Sequence, residues 1–289
     1  MDRLVKGLIF DGHATVTLID ITETVNKCIE MHQLSPLASA TLGRALCCGV
    51  YLANNIKGSD SKFSMTIEGG GPIGRIVVAG GFGNIIKGYV TNPSVNLPIR
   101  SDGKLDVGGA VGSDGEITVI KDLGMREPYV GKCKLKNGEI AEDFAVYLAQ
   151  SEGVNNMSAF GVLVDKDGCK SAGGLVVTAL PGITEEEIFI IEDIENHFGA
   201  VSAMIAEKPI EDIFNYHFGH LKSQFLKTEP IQFQPNLSAE RLRAIIRSIG
   251  EKEAMSIIDE QGQIEIKYEF NNKRYVFTKP AVLDIFGKA

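Results

Sequence analysis

Residues 231–250, IQFQPNLSAERLRAIIRSIG, and residues 264–277, IEIKYEFNNKRYVF, decide how this chain must be divided. The first opens a helical pattern over Ala239 to Ser248, and a second helix follows over Lys252 to Ile258. The second stretch alternates as a hairpin, with its turn at Asn271-Asn272, where left-handed backbone angles are tolerated. Two short helices and a hairpin within fewer than 60 residues rarely supply enough core alone. Such a piece ordinarily leans on a metal, a disulfide or a docking partner, yet neither stretch contains a cysteine.

Upstream, the segment from Pro181 to Pro230 carries ten acidic residues against three lysines, so −7 of the chain's net −8 lies there. Thr184 and Glu187 have capping-box spacing. Beyond them Ile188, Ile191, Ile194, Phe198, Val201 and Ile205 recur every three or four residues, which predicts a stripe down one helix. Phe189 and Ile190 widen it beyond what one face needs. Lys208-Pro209 ends that helix, and a second runs from Ile210 to Phe218. This is a helical linker with apolar surface in excess. The run Glu185-Glu186-Glu187 reads as favourable charge at a helix N-terminus, or as a means of keeping a sticky helix soluble.

Residues 1–180 mix both periods. LVKGLIF and ATVTLI predict strands about the Asp11-Gly12 turn, and helices follow over Ile21–Gln33 and Pro36–Ile56, the latter capped by Ser35. KFSMTIE, GRIVVA, IIKGYV, EITVIKDL and YVGKCKL are short strands separated by glycines, close enough in sequence to pair antiparallel. A helix at EDFAVYLAQSE and strands AFGVLV and AGGLVVTAL complete an α+β domain. The predicted organisation is therefore an antiparallel-sheet N-terminal domain with helices (1–180), a helical linker (181–230) and a small α+β C-terminal domain (231–289).

Composition narrows the function. The pI of about 5.3 argues against a nucleic-acid-binding face. No apolar run approaches the roughly 18–20 residues of a membrane span, and the start is too short and charged for a signal peptide. Five cysteines (Cys28, Cys47, Cys48, Cys133 and Cys169) without repeating spacing read as reduced thiols in a cytoplasmic setting, with an organellar location left open. GGGPIG and GGFGN lack the order of a phosphate loop and read as turns between strands. Cys28 and His32 share a helix face, the spacing of a ligand pair or of a nucleophile and base; without a second pair or an orienting residue they read as a buried thiol and an ordinary histidine. His13, beside its turn, reads as structural, and Cys47-Cys48 as helix packing. No catalytic constellation, cofactor site or metal site emerges.

Several ordered motifs do resemble one family. HQLSPLASATLGRAL, IEGGGPIGRIVVA, KGYVTNP, AEDFAVYLAQSE, AGGLVVTALPG and the frame LSAERL to FNNKRYVF are similar to Hsp33, the redox-regulated holdase chaperones. The resemblance spans nearly the whole chain. It implies ATP-independent binding of unfolding proteins and dimers in the active form; in this chain the linker stripe and an apolar face of the N-terminal sheet are expected to bind the clients. It also implies a zinc ion held by C-x-C and C-x-x-C, released when those cysteines oxidise.

Here the departure is complete. The ligand positions fall on Pro235, Leu237, Tyr268 and Asn271, so a tetrahedral thiolate site is impossible. Leu237 and Tyr268 are expected to form a small apolar cluster there, with Asn271 suiting a turn. The resulting expectation is an Hsp33-type holdase without zinc or disulfide switching, heat-activated or constitutive, with clients and a possible homodimer as partners and no nucleic acid or membrane. The competing expectations are a non-chaperone scaffold retaining the fold and, more weakly, a cysteine hydrolase using Cys28 and His32.

Overall fold

The computed structural model describes residues 1–197 and 200–287, which divide into two compact units, Met1–Gln234 and Pro235–Ala289. The first begins with β1 (Arg3–Ile9) and β2 (Ala14–Asp20), joined by a 3-10 turn in which Asp11 adopts φ 54°. Helices α1 (Thr22–His32) and α2 (Pro36–Asn55) precede β3 (Lys62–Glu68), β4 (Ile76–Gly81) and β5 (Ile85–Val90). A short helix α3 (Val107–Val111), β6 (Glu116–Asp122), β7 (Tyr129–Lys134) and α4 (Ala141–Glu152) come next. The hairpin β8 (Asn156–Asp165) and β9 (Gly168–Ala179) leads into α5 (Glu185–His197), α6 (Val201–Glu207) and α7 (Ile210–Phe218), followed by β10 (Gln224–Pro230) and β11 (Gln232–Phe233).

These strands form a five-stranded antiparallel sheet, β10-β1-β2-β9-β8, and a six-stranded sheet, β11-β5-β4-β3-β6-β7, in which only the β11–β5 pairing is parallel. Helix α2 lies in the core they share. Pro36 starts it and the Ser35 hydroxyl accepts from the Ala38 amide at 3.1 Å. By length and composition α2 is apolar enough to cross a membrane, contrary to the expectation from sequence. Sixteen of its twenty residues are instead buried inside this unit, as befits a helix that is apolar all round.

The pleat of the five-stranded sheet sorts neighbouring residues to opposite faces. Leu4, Ile19, Ala172 and Val176 join the core around α2, whereas Val5, Ile9, Val16, Leu18, Leu175 and Val177 face the other way. A sheet buried on both faces explains why consecutive residues of β2 and β9 are buried, as over Val16–Ile19 and Ser171–Thr178. The second face is covered by α6 and α7, with α5 partly packed against it. Residues 181–230 therefore belong to the first unit rather than standing between two others. The single predicted helix through Ile205 is two helices: Ala200 has extended angles (φ −69°, ψ 112°) and precedes α6.

The second unit contains α8 (Ala239–Ile249), α9 (Glu251–Gln261), the hairpin β12 (Gln263–Tyr268) and β13 (Lys273–Thr278), and α10 (Lys279–Ile285). Ser238 caps α8, its hydroxyl accepting from the Arg241 amide at 3.1 Å. The core is small: Ile246, Ala254, Ile258, Ile264, Val282 and Ile285. At the hairpin turn Asn272 adopts φ 51°, as its position predicts.

Candidate functional site

The covered face of the five-stranded sheet is built from aliphatic side chains of β1, β2 and β9. Val201 of α6 and Ile210, Ile213, Phe214 and Phe218 of α7 are buried against it. Each such burial contributes about 1.5–3 kcal/mol before ordering costs. Phe214 is the wedge. Its ring lies over Gly7, where a Cβ would stand 2.3 Å from Cζ, and is flanked by the rings of Phe218 at 5.8 Å and Phe225 at 5.7 Å.

Polar contacts fasten the same helices at their ends. The Arg3 guanidinium donates to both Glu211 oxygens, at 2.9 and 3.1 Å. The Ser171 hydroxyl donates to the Ser202 carbonyl at 2.6 Å. At the start of α5 the predicted capping box forms: the Thr184 amide donates to Glu187 Oε2 at 2.9 Å, and the Glu187 amide to Thr184 Oγ1 at 3.2 Å. Glu187 also meets His13 Nδ1 at 3.0 Å, tying α5 to the β1–β2 turn. The Thr184 hydrogen bond, with His13 beside it, holds the Glu187 carboxyl below its ordinary value.

The predicted stripe is divided by these contacts. Ile191 and Ile194 pack partly against the sheet cluster, as does Ile205 of α6, and Val201 is fully inside it. Ile188 stays 40% exposed, and Phe198 lies outside the described residues. The most exposed apolar residue of α5 is Phe189, at 69%, which the stripe does not include. Glu185, Glu186, Glu192 and Asp193 stand three or four positions from it, so carboxylates surround it on the helix surface. That arrangement keeps an exposed ring soluble.

In the second unit the four positions assigned to lost ligands behave differently from expectation. Pro235 is buried, while Leu237 and Tyr268 are half-buried and stay outside the core cluster; Tyr268 packs its ring at 5.5 Å from Phe270. Neither Leu237 nor Tyr268 joins that aliphatic core, and a polar arrangement forms at the fourth position. Asn271, only 2% exposed, donates to Asn236 Oδ1 at 3.1 Å and to the Tyr275 hydroxyl at 2.8 Å, and accepts from the Lys273 amide at 3.2 Å. Pro, Leu, Tyr and Asn offer no thiolate, imidazole or carboxylate, so zinc does not fit these residues. Among the described residues no group of three or more His, Cys, Asp or Glu is placed to hold a metal.

The five thiols are free and buried. Burial pushes the Cys28, Cys47 and Cys48 thiols far up and Cys169 up to about 12; it raises Cys133 as well. Cys28 and His32 do share the buried face of α1, but a thiol held protonated is no nucleophile. The two glycine-rich stretches connect β3 to β4 and β4 to β5, as turns.

Comparison with known proteins gives the same answer throughout. The sequence profile described as Hsp33 protein matches residues 2–278. The 33 kDa chaperonin of Caldanaerobacter subterraneus subsp. tengcongensis is 37% identical, covering 100% of this chain and 99% of the relative. That of Alkaliphilus oremlandii is 41% identical over 96% of this chain and 93% of its own. The crystal structure of the 33 kDa chaperonin (heat shock protein 33 homolog) from Thermotoga maritima superposes with a TM-score of 0.88 at 32% identity, covering 99% and 98% of the two chains. The α+β architecture, the order of its motifs and these relatives agree: the chain belongs to the Hsp33 family of chaperones and is not an enzyme.

Proposed function

We propose that this chaperone is an ATP-independent holdase that captures unfolding proteins without a zinc or disulfide switch. Its client surface is the apolar face of the five-stranded sheet together with the linker residues Ile188, Ile191, Ile194, Phe198, Val201 and Ile205, joined by Phe189. The observation that carries this reading is the pairing of an apolar sheet face, held under three short helices, with a second unit in which no described group of three or more His, Cys, Asp or Glu is placed to hold a metal. Uncovering the face exposes side chains of both layers to a partner of the same character.

Two further features support it. The buried, protonated thiols offer oxidants little thiolate to attack and suit a cytoplasmic compartment. The acidic linker and net charge of −8 favour polypeptide over nucleic-acid partners.

The test is light scattering from a heat-unfolding client, with this protein first reduced and then peroxide-treated. Equal suppression in both states is expected. Suppression only after oxidation would show that one of the five thiols has become a switch. No suppression in either state leaves the scaffold reading, under which a permanent homodimer is expected in the same samples.

A further inference from the structure

We propose that Asn271 is a neutral clip that closes the carboxy-terminal unit in place of a metal, and that heat opens it. The four positions where the family resemblance places ligands come from two segments, residues 235–237 and the hairpin turn at 268–271. The Asn271–Asn236 hydrogen bond joins those same two segments across 35 residues of sequence.

The chemistry of the amide suits this role. An asparagine side chain offers two N–H donors and one carbonyl oxygen. Both donors are engaged, one on Asn236 and one on Tyr275, and the oxygen receives the Lys273 amide. That last contact fixes the orientation, because a backbone N–H can meet only the oxygen. The Lys273 bond supports the turn locally, two residues on from Asn271. The Asn236 bond does the work of a crosslink. Buried at 2% exposure, the amide has no water to replace a lost partner, so each contact is costly to break.

The thiol oxidation that would discharge a zinc-thiolate centre has no target in such a clip, since none of its groups is a cysteine. Temperature does act on it, because the clip consists of hydrogen bonds and the aliphatic core of its unit is small. The clip itself is independent of the holdase reading; its coupling to client capture rests on that reading.

Amide hydrogen exchange of the full chain, read on peptides covering 263–278 as temperature rises, tests both parts. Asn271→Ala is expected to lower the opening midpoint of these peptides by about 10 °C, and Tyr275→Phe by about half of that. Asn236→Ala and Asn271→Ala together should cost little more than Asn271→Ala alone, since they remove a shared contact. Neither EDTA nor added zinc should move the wild-type midpoint. Peptides from β2 and β9 report that the first unit is folded in every variant, and Tyr275→Phe removes a single oxygen if the alanine variant is too unstable to study.

A shift below about 2 °C for Asn271→Ala, additive effects at 236 and 271, or a midpoint lowered by EDTA would each overturn the clip. If the midpoint falls but the onset of client protection does not follow it, the coupling of opening to client capture is refuted while the clip stands. A wild-type protein that never protects a client sinks the holdase reading, and the exchange data judge the clip regardless.

Discussion

Replacing Gly7 with alanine tests whether α7 gates the proposed client surface. The new Cβ would lie 2.3 and 2.4 Å from two ring carbons of Phe214 and 3.0 Å from the Gln224 carbonyl. Reaching ordinary contact requires the ring to retreat by about 1 Å, and Phe218 and Phe225 stand against it. Overpacking of this kind costs about 1–3 kcal/mol. If docking of α7 bears that cost, the undocked population rises about 5- to 150-fold. Every apolar residue of the linker and the sheet is retained, so client capture should begin at a lower temperature than in the wild type. Phe214→Ala makes the contrast, because it loosens the helix and also removes part of the surface. Exchange in peptides 201–218 measures undocking, and light scattering measures capture. Faster exchange without earlier capture would refute the linker as the gate. Unchanged exchange would refute the steric reasoning at Gly7.

Three other outcomes follow from the same geometry. Peroxide should leave client protection unchanged, and the five thiols should react with a disulfide probe only as fast as the chain opens; rapid labelling of any of them in the native protein contradicts their burial. Because the Glu187 carboxyl is held low, its contribution to docking α5 is complete above the ordinary carboxylate value of about 4.3 and fades as pH falls through the lowered one. Exchange at residues 185–194 should therefore accelerate on acidification in the wild type and do so less in Glu187→Gln. Phe189→Ser, at an exposed position, should leave the thermal midpoint unchanged while weakening client protection severalfold; full protection would remove Phe189 from the surface.

Periodicity carried most of the fold. KFSMTIE and IIKGYV are strands at the predicted residues, and α7 has the predicted bounds, because each presents one clearly apolar face. Reading failed where burial and pattern part company. β10 is an edge strand with nearly every residue exposed, so QFLKTEP shows no alternation to detect. The short helix VGGAV is masked by its two glycines. Helix α2 was legible as a helix, yet its apolar girth gave no hint that two sheets enclose it. The candidate site divides in the same way. The absent thiolates and the excess apolar surface of the linker are written in the chain. That Phe189 stands outside while Val201 stands inside depends on the break before α6 and on which face meets the sheet. Asn271 was legible only as a turn residue, because its decisive partner lies 35 positions away.

The exchange of a metal for an amide alters how a unit of this size responds to temperature. A structural zinc contributes roughly 10–16 kcal/mol of apparent folding free energy in small peptides. Three hydrogen bonds at about 1 kcal/mol net each do not approach that. The unit therefore rests mainly on six buried side chains, all but one of them aliphatic chains of three or four carbons. With 55 residues (235 to 289), its unfolding enthalpy near 60 °C is about 40 kcal/mol. A transition of that enthalpy spreads over roughly 20 °C. A zinc-thiolate centre can be discharged by one chemical event, whereas this unit opens by degrees as temperature climbs. Where that opening is coupled to client capture, as the holdase reading proposes, capacity for clients should rise with temperature over the same roughly 20 °C span and fall again on cooling without any reductant.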